Sequence, residues 1–250
     1  NDAVNSLSEA AKERDAQDQL PLYKLAGRWY LERLKRQDFA LACFTAAIKL
    51  APNDDEALAG AESVYRKQSQ WPELVGTLLN RADARADDAT ARALRAEAAD
   101  VLESKLNETV KAREFCEAVL KAEPAQATAN AVFERLLLRD KDWKGLAALM
   151  LRKAEALHGE GRAEALCEVA EVYEDRLEDT AQAAEYFELA RAADPRNLGA
   201  LKGLERLYAR EGNTDKLLRT LQAQVEASAT PRQRVELHLR IGALLEEEFV

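Results

Sequence analysis

Small and apolar residues recur three and four positions apart along most of this chain, the spacing that lines one face of a helix. Tyr23, Ala26, Gly27 and Tyr30 form one such set, and Ala40, Phe44 and Ala47 form the next. No convincing period-two pattern marks a strand, and β-branched residues are sparse. Helix is therefore predicted almost throughout. Pro52, Pro124 and Pro195 are evenly spaced, Leu34, Leu106 and Leu177 repeat with the same spacing, and Trp71 and Trp143 are one such step apart. Self-similarity at a period of about 72 residues predicts a repeat architecture. Each period holds four predicted helices, which make two helix-turn-helix repeats of slightly different type.

The first type reads Tyr23, Ala26, Gly27, Tyr30, then Ala40, Phe44, Ala47, Pro52, and again Leu166, Val169, Ala170, Tyr173, then Ala183, Phe187, Ala190, Pro195. A divergent middle copy runs Arg95, Ala98, Ala99, Leu102, then Ala112, Cys116, Val119, Pro124. These positions resemble the tetratricopeptide repeat, W-x2-L-G-x2-Y followed by A-x3-F-x2-A-x4-P. All three copies carry one residue more than the family pattern between their helices. The addition is expected in the turn, around Gln37-Asp38, Asn107-Glu108 and Glu178-Asp179, where an insertion costs little backbone bonding. The second type reads Leu58, Ala61, Tyr65, then Leu74, Leu78; Asn130, Phe133, Leu137, then Leu146, Met150; and Leu201, Leu204, Tyr208, then Leu217, Leu221. It departs further from the family. Glu62, Glu134 and Glu205 occupy a slot where the family prefers a small residue, and Leu replaces a small Ala in the second helix, which should hold the paired helices further apart.

What the resemblance implies is an all-α, right-handed α-solenoid of tandem helix-turn-helix repeats, a single array over residues 1–250. Six repeats are expected in 22–228, the first helix of a seventh in 231–250, and a preceding or capping helix in 1–20 with Val4, Leu7 and Ala11 as its inner face. Asp38, Asp54, Thr90, Asp142 and Thr214 stand where side-chain oxygens can cap helix N-termini, and Pro72 suits a first helical turn. Each repeat presents two apolar stripes, for example Tyr30 and Phe44 inside the pair and Leu34 and Ile48 toward its neighbours. It cannot bury both alone, so stacking must cover the second, and stability becomes a sum over repeats and their interfaces. Burying one such side chain contributes roughly 1.5–3 kcal/mol.

In this family the first helices of successive repeats line a concave groove, and the resemblance carries that geometry to Lys24, Arg28, Leu31 and Glu32, then Ala59, Ser63, Arg66 and Lys67. The following helices contribute Ala96, Asp100, Glu103 and Ser104; Ala131, Arg135, Leu138 and Arg139; Cys167, Glu171, Glu174 and Asp175; and Lys202, Arg206, Ala209 and Arg210. Each is an i, i+4, i+7, i+8 set on one helix face. The candidate partner-binding residues are thirteen of the charged members: Lys24, Arg28, Arg66, Lys67, Asp100, Glu103, Arg135, Arg139, Glu171, Glu174, Lys202, Arg206 and Arg210. Basic helices alternate with acidic ones. Two consequences are open: the stripes read a complementary protein segment, or opposite charges pair with each other across the groove, each exposed pair contributing about 0–1 kcal/mol.

Charge and composition narrow the functional classes. A net charge of -9 and a pI near 5.1 argue against binding nucleic acid, whose affinity rests on neutralising phosphates. Cys43, Cys116 and Cys167 are too widely spaced for a zinc site or a disulfide framework, and they read as packing residues in a reducing compartment. His158, before Gly159, reads as a helix end; His238 falls on the groove side of the last helix; neither has metal-ligand spacing to a second donor. No nucleophilic triad or phosphate-cradling glycine motif can be assembled, so no catalytic residue, metal or cofactor is expected. Lys24 and Arg28 match a carboxylate clamp poorly, because Leu25 and Ser63 stand where Asn is needed. Asn107-Glu108-Thr109 is formally a glycosylation sequon, read here as chance. The longest apolar run, Leu146 to Leu151, is too short to span a bilayer, so no membrane insertion is expected.

The chain begins at Asn1 without Met and stops at Val250 inside a helical pattern, which reads as a fragment. A cytoplasmic location is the expectation. The leading functional class is a scaffold or adaptor that binds another protein or a peptide segment in the groove. The alternative is the substrate-selecting arm of an enzyme whose catalytic domain lies elsewhere, and self-association through exposed terminal helices is a third possibility.

Overall fold

A computed structural model describes residues 6, 9–10, 14–86 and 88–248. The expected inner face of a helix over 1–20, Val4, Leu7 and Ala11, lies outside the described residues. Among the described residues there is no strand, and no helix is long and apolar enough to cross a membrane.

The chain divides into two compact units, Asn1–Leu136 and Leu137–Val250. The first holds α1 (Ala16–Glu32), α2 (Gln37–Leu50), α3 (Asp55–Lys67), α4 (Trp71–Asp83), α5 (Ala89–Ser104) and α6 (Thr109–Ala122). Helix α7 (Ala127–Asp140) contains the boundary. The second unit continues with α8 (Trp143–Glu155), α9 (Gly159–Asp175), α10 (Thr180–Ala193), α11 (Leu198–Glu211), α12 (Thr214–Ala227) and α13 (Pro231–Glu248). Helices adjacent in sequence pack on each other in both units, so each unit is a run of helical hairpins. Helix α1 starts at Ala16 and carries Pro21 within it, so residues 16–20 belong to the first helix of the first hairpin.

The two repeat types differ in how their helices turn. In the first type Arg36, Glu108 and Asp179 donate their backbone N–H to Tyr30, Leu102 and Tyr173 O, six residues back. In the second, Gln70, Asp142 and Asn213 donate to Tyr65, Leu137 and Tyr208 O, five residues back. That difference is the additional residue expected from the sequence. Both turns pass through one residue in the left-handed region: Lys35, Asn107 and Glu178 in the first type (φ 55, 57 and 54°) and Ser69, Lys141 and Gly212 in the second (φ 57, 55 and 66°). The expected location of the extra residue holds at Asn107-Glu108 and Glu178-Asp179. At the first copy it moves upstream to Lys35-Arg36, because Gln37 and Asp38 already lie in α2.

Helix starts are capped where register dictates. Asp54 accepts from Ala57 N at 2.9 Å and Asp142 from Gly145 N at 2.9 Å, as expected. The other three assignments shift. Asp38 sits in the first turn of α2 beside Arg36; Thr90 and Thr214 lie inside helices whose caps are Asp88, which accepts from Ala91 N, and Asn213, which accepts from Lys216 N. His158 precedes the start of α9 rather than closing a helix, and Gly159 follows with φ +55°.

The core is built from aromatic plugs seated on glycine. Phe44 of α2 is 1% exposed, and a Cβ added to Gly27 of α1 or Gly60 of α3 would come within 2.7 or 2.4 Å of its ring. In the second unit Phe187 of α10 stands in the same relation to Gly203 of α11, at 2.5 Å. Around these plugs pack Ala26, Tyr30, Ala40, Ala61 and Val64 in the first unit, and Leu166, Ala170, Ala190, Leu204 and Tyr208 in the second. Glu62 and Glu205, the acids in small-residue slots, are mostly buried and answered from the second helix of their own hairpin. Arg81 of α4 donates to Glu62, and Gln224 of α12 donates to Glu205 at 2.6 Å.

Candidate functional site

Within each unit the first helices of successive hairpins touch, α1 with α3 and α9 with α11, so their exposed faces form a common surface. In the first unit Lys24 Nζ donates to Asp54 Oδ2 at 2.9 Å and lies 3.0 Å from Glu56 Oε2, while Arg28 Nε reaches Glu56 Oε1 at 3.4 Å. The hydrogen bond to Asp54, seconded by Glu56, raises the Lys24 ammonium above the usual lysine range. Arg66 bridges Glu62 of its own helix at 3.0 Å and Glu97 of α5 at 2.7 Å. Arg135 of α7 reaches back to Asp100 at 2.5 Å and Glu103 at 2.7 Å on α5. Thus Lys24, Arg66 and Arg135 each face two carboxylates, and Lys67 makes no ion pair among the described residues.

The second unit reverses that ratio. Glu174 of α9 has a side chain only 5% exposed and accepts from Arg206 of α11 at 2.9 and 2.6 Å and from Arg210 at 2.6 Å. The bonds from Arg206 hold its carboxyl below the usual glutamate value; burial opposes them, and the Arg210 charge adds to them. One acid therefore serves two guanidiniums, each more than half exposed. Lys202, one turn earlier on α11, is exposed and makes no ion pair among the described residues, and the same holds for Arg139 and Glu171. Helix α9 answers with an exposed acidic stripe: Glu164, Glu168, Glu171 and Asp175.

Beside Lys202 opens a cavity of about 620 Å³ between α11, the end of α12 and α13. Its wall holds the apolar Leu198 and Leu237, the cations Lys202, Arg206 and Arg240, and Gln224 with the acids Glu205 and Glu236. Glu205 in this wall is neutralised by Arg240 and bonded by Gln224, which also donates to Leu201 O at 3.2 Å. Leu198 stays 42% exposed at the rim. On α13, Val235 and Leu239 are 59% and 71% exposed.

Of the thirteen residues expected to bind a partner, the structure joins Asp100 and Glu103 to Arg135, Glu174 to Arg206 and Arg210, and Lys24 to Arg28 through Glu56. The cavity-lining Gln224, Leu237 and Arg240 were not among them. A signal for Gln224 exists: Arg81, Lys153 and Gln224 recur with the period of the prolines, each at the same distance after one of the three glutamates Glu62, Glu134 and Glu205. Burial pushes the Cys116 thiol up to about 12 and the Cys167 thiol up to about 11, so neither supplies a thiolate at neutral pH.

No protein-family model and no curated protein matches the chain. Solved structures do. YrrB, described as a TPR protein with an unusual peptide-binding site, aligns at 16% identity over 93% of this chain and 97% of its own, with a TM-score of 0.40. The structure of Naa15/Naa10 bound to HypK-THB aligns at 10% identity over 95% of this chain, with a TM-score of 0.56; this chain spans 36% of that one. Two turn types alternating in step with the sequence period, aromatic plugs on small residues and an all-helical hairpin run make this chain a tetratricopeptide-like repeat protein by fold.

Proposed function

We propose that this protein is a binding module that holds a segment of another protein on the exposed face of its first helices, with the α9, α11 and α13 face of the second unit as the principal contact. The observation that carries this reading is the surplus of cations on α11 beside an open cavity. Lys24, Arg66 and Arg135 are each matched by two carboxylates and have little charge left to offer a partner. On α11 Arg206 and Arg210 share Glu174 as their ion-pair partner, with Glu171 and Asp175 of α9 acting on Arg206 from further away, and Lys202 makes no ion pair among the described residues. Unsatisfied charge at a cavity mouth is what gives an interface its selectivity and encounter rate. The bound segment thus gains direction from charge and affinity from apolar side chains seated against Leu198 and Leu237.

Crosslinking mass spectrometry tests this directly. A photo-reactive residue at position 206 or 202 should crosslink one defined protein in cells, whereas the same residue at exposed Lys121 on second helix α6 should not. Crosslinks spread evenly over both faces, or confined to Lys121, would remove the proposal.

A further inference from the structure

We infer that this chain pairs with a second copy of itself through the outward stripe of α13, the two helices running antiparallel about Leu239. The contact is separate from the cavity described above. The buried Leu237 lies on the cavity side of α13 with Glu236 and Arg240, whereas Val235, Leu239 and Gly242 lie on the flank turned away from it.

Two observations lead here. First, Arg232, Val235, Leu239, Gly242 and Glu246 follow one another at steps of three and four residues, the spacing of a seam between two helices. All five are exposed, Val235 at 59% and Leu239 at 71%. A Cβ added to Gly242 would meet nothing within 4 Å, whereas those added to Gly27, Gly60 and Gly203 meet aromatic rings. The seam is therefore apolar in its middle, open, and low enough at Gly242 for a second backbone to come close.

Second, the charges at the two ends of α13 oppose its own dipole. Arg232 and Arg234 stand in its first turn, at the positive end, and Glu246, followed in sequence by Glu247 and Glu248, stands at the negative end. Helices α3 and α4 have the opposite order, with Asp55 and Glu56 before Arg66 and Lys67, and Glu73 before Arg81. Arg232, Arg234 and Glu246 make no ion pair among the described residues, and Glu226 near the end of α12 pairs with neither arginine. Of the other charged groups on α13, Arg240 is held by Glu205 and Glu236 lines the cavity; the exposed His238 borders Gly242.

An antiparallel copy answers both observations. Arg232 and Glu246 stand seven residues on either side of Leu239, so a dyad through Leu239 sets Leu239 against itself and each Arg232 beside the other copy's Glu246. Acids then meet the positive end of each helix, arginines meet the negative end, and the two dipoles run opposed. A parallel copy would set like charges together, and a helix of one charge would answer one end alone. One helix pair covers less than the roughly 1,200–2,000 Å² of a stable interface, so the dimer exchanges and its population follows concentration.

Sedimentation velocity of the full chain from about 1 to about 100 μM should show monomer passing into dimer and no larger species, because a dyad closes at two. Leu239→Glu should weaken the dimer at least tenfold. So should Arg232→Glu with Arg234→Glu, although that pair of changes improves the match between α13 and its own dipole. Circular dichroism of both variants checks that helix content is kept. Mixing the arginine-to-glutamate chain with one carrying Glu246→Lys, Glu247→Lys and Glu248→Lys should restore a dimer of about the wild-type strength. Orientation has its own readout, since Val235 and Ala243 stand four residues on either side of Leu239. Val235→Cys chains mixed with Ala243→Cys chains should be joined by a short bismaleimide faster than either chain with its own kind; the native Cys43, Cys116 and Cys167 are buried. A chain that stays monomeric throughout, an open series of larger oligomers, a dimer indifferent to Leu239→Glu or to the arginine changes, or faster linkage between like chains would each overturn the inference.

Discussion

Arg81 of α4 is held against Glu62 of α3 with both side chains only 15% exposed, and the same guanidinium reaches Asp55 at 3.0 Å. An acid that sits in a small-residue slot is thereby converted into a clasp between the two helices of one hairpin. Arg81→Met leaves Glu62 with Arg66 of its own helix as partner and removes the cross-helix bond, and should destabilise the protein by about 1–3 kcal/mol in urea titration. Adding Glu62→Met should recover at least half of that loss, because a same-sized apolar pair leaves no buried charge. A double variant as weak as the single one would show that the clasp acts through something other than its charges.

The plug and socket of the first unit can be exchanged for the middle copy's own solution. Phe44 and Gly60 align by register with Cys116 and Val132, both fully buried. Gly60→Val alone drives a branched side chain into the Phe44 ring and should cost about 1–3 kcal/mol. Combined with Phe44→Cys, it should cost less than the sum of the two single changes by at least about 1 kcal/mol. Strict additivity in thermal unfolding would refute the complementary-volume argument.

The left-handed turn residues make opposite predictions at equivalent positions. Lys141 tolerates φ 55° without being glycine, whereas Gly212 supplies φ 66° where its neighbours use a side chain. Gly212→Ala should lower stability by about 1 kcal/mol, and Lys141→Gly should leave it unchanged or raise it by up to about 1 kcal/mol. Changes of the same sign at both sites would contradict the turn assignment.

Glu174 gives the protein an acid limb. Its folded carboxyl lies below the ordinary value of 4.5, so its stabilisation is complete above that value and is lost as the pH falls through the lower folded value. Glu174→Gln should cost about 1–2 kcal/mol at pH 7, the arginines' exposure limiting the figure, and little at the acid end. The difference between wild type and variant should thus shrink as the medium is acidified below pH 4.5. A difference independent of pH would mean that the carboxylate charge plays no part.

Much of the fold was legible because packing left a period in the sequence. Prolines, tryptophans and the Tyr/Phe/Ala slots recur at one shared spacing since each hairpin solves the same burial problem. The turns were partly legible: the extra residue could be counted, but Lys35, Ser69 and Lys141 carry no glycine to announce a left-handed backbone. Caps drifted by one or two positions where a Thr inside the helix drew attention from Asp88 or Asn213. The exposed face was legible in composition and hidden in detail. Both the alternating charge and the two readings of it could be written from spacing. Which cations would be saturated depended on partners a whole hairpin away in sequence, such as Asp54 for Lys24 and Glu174 for Arg206, and the α11–α13 cavity needs three helices placed at once.

Trp71 lies under the Lys105 ammonium at 5.5 Å and Trp143 under the Arg176 guanidinium at 5.2 Å, one in each compact unit, at the seams α4/α5 and α8/α9. The remaining tryptophan, Trp29, is 40% exposed and open to a collisional quencher. Nature has in effect labelled each half of the molecule with its own fluorophore. With Trp29 also replaced by phenylalanine, removing either seam indole leaves a protein whose emission follows the loosening of the other seam alone, so cooperativity between the halves becomes a quantity that can be read with a spectrometer.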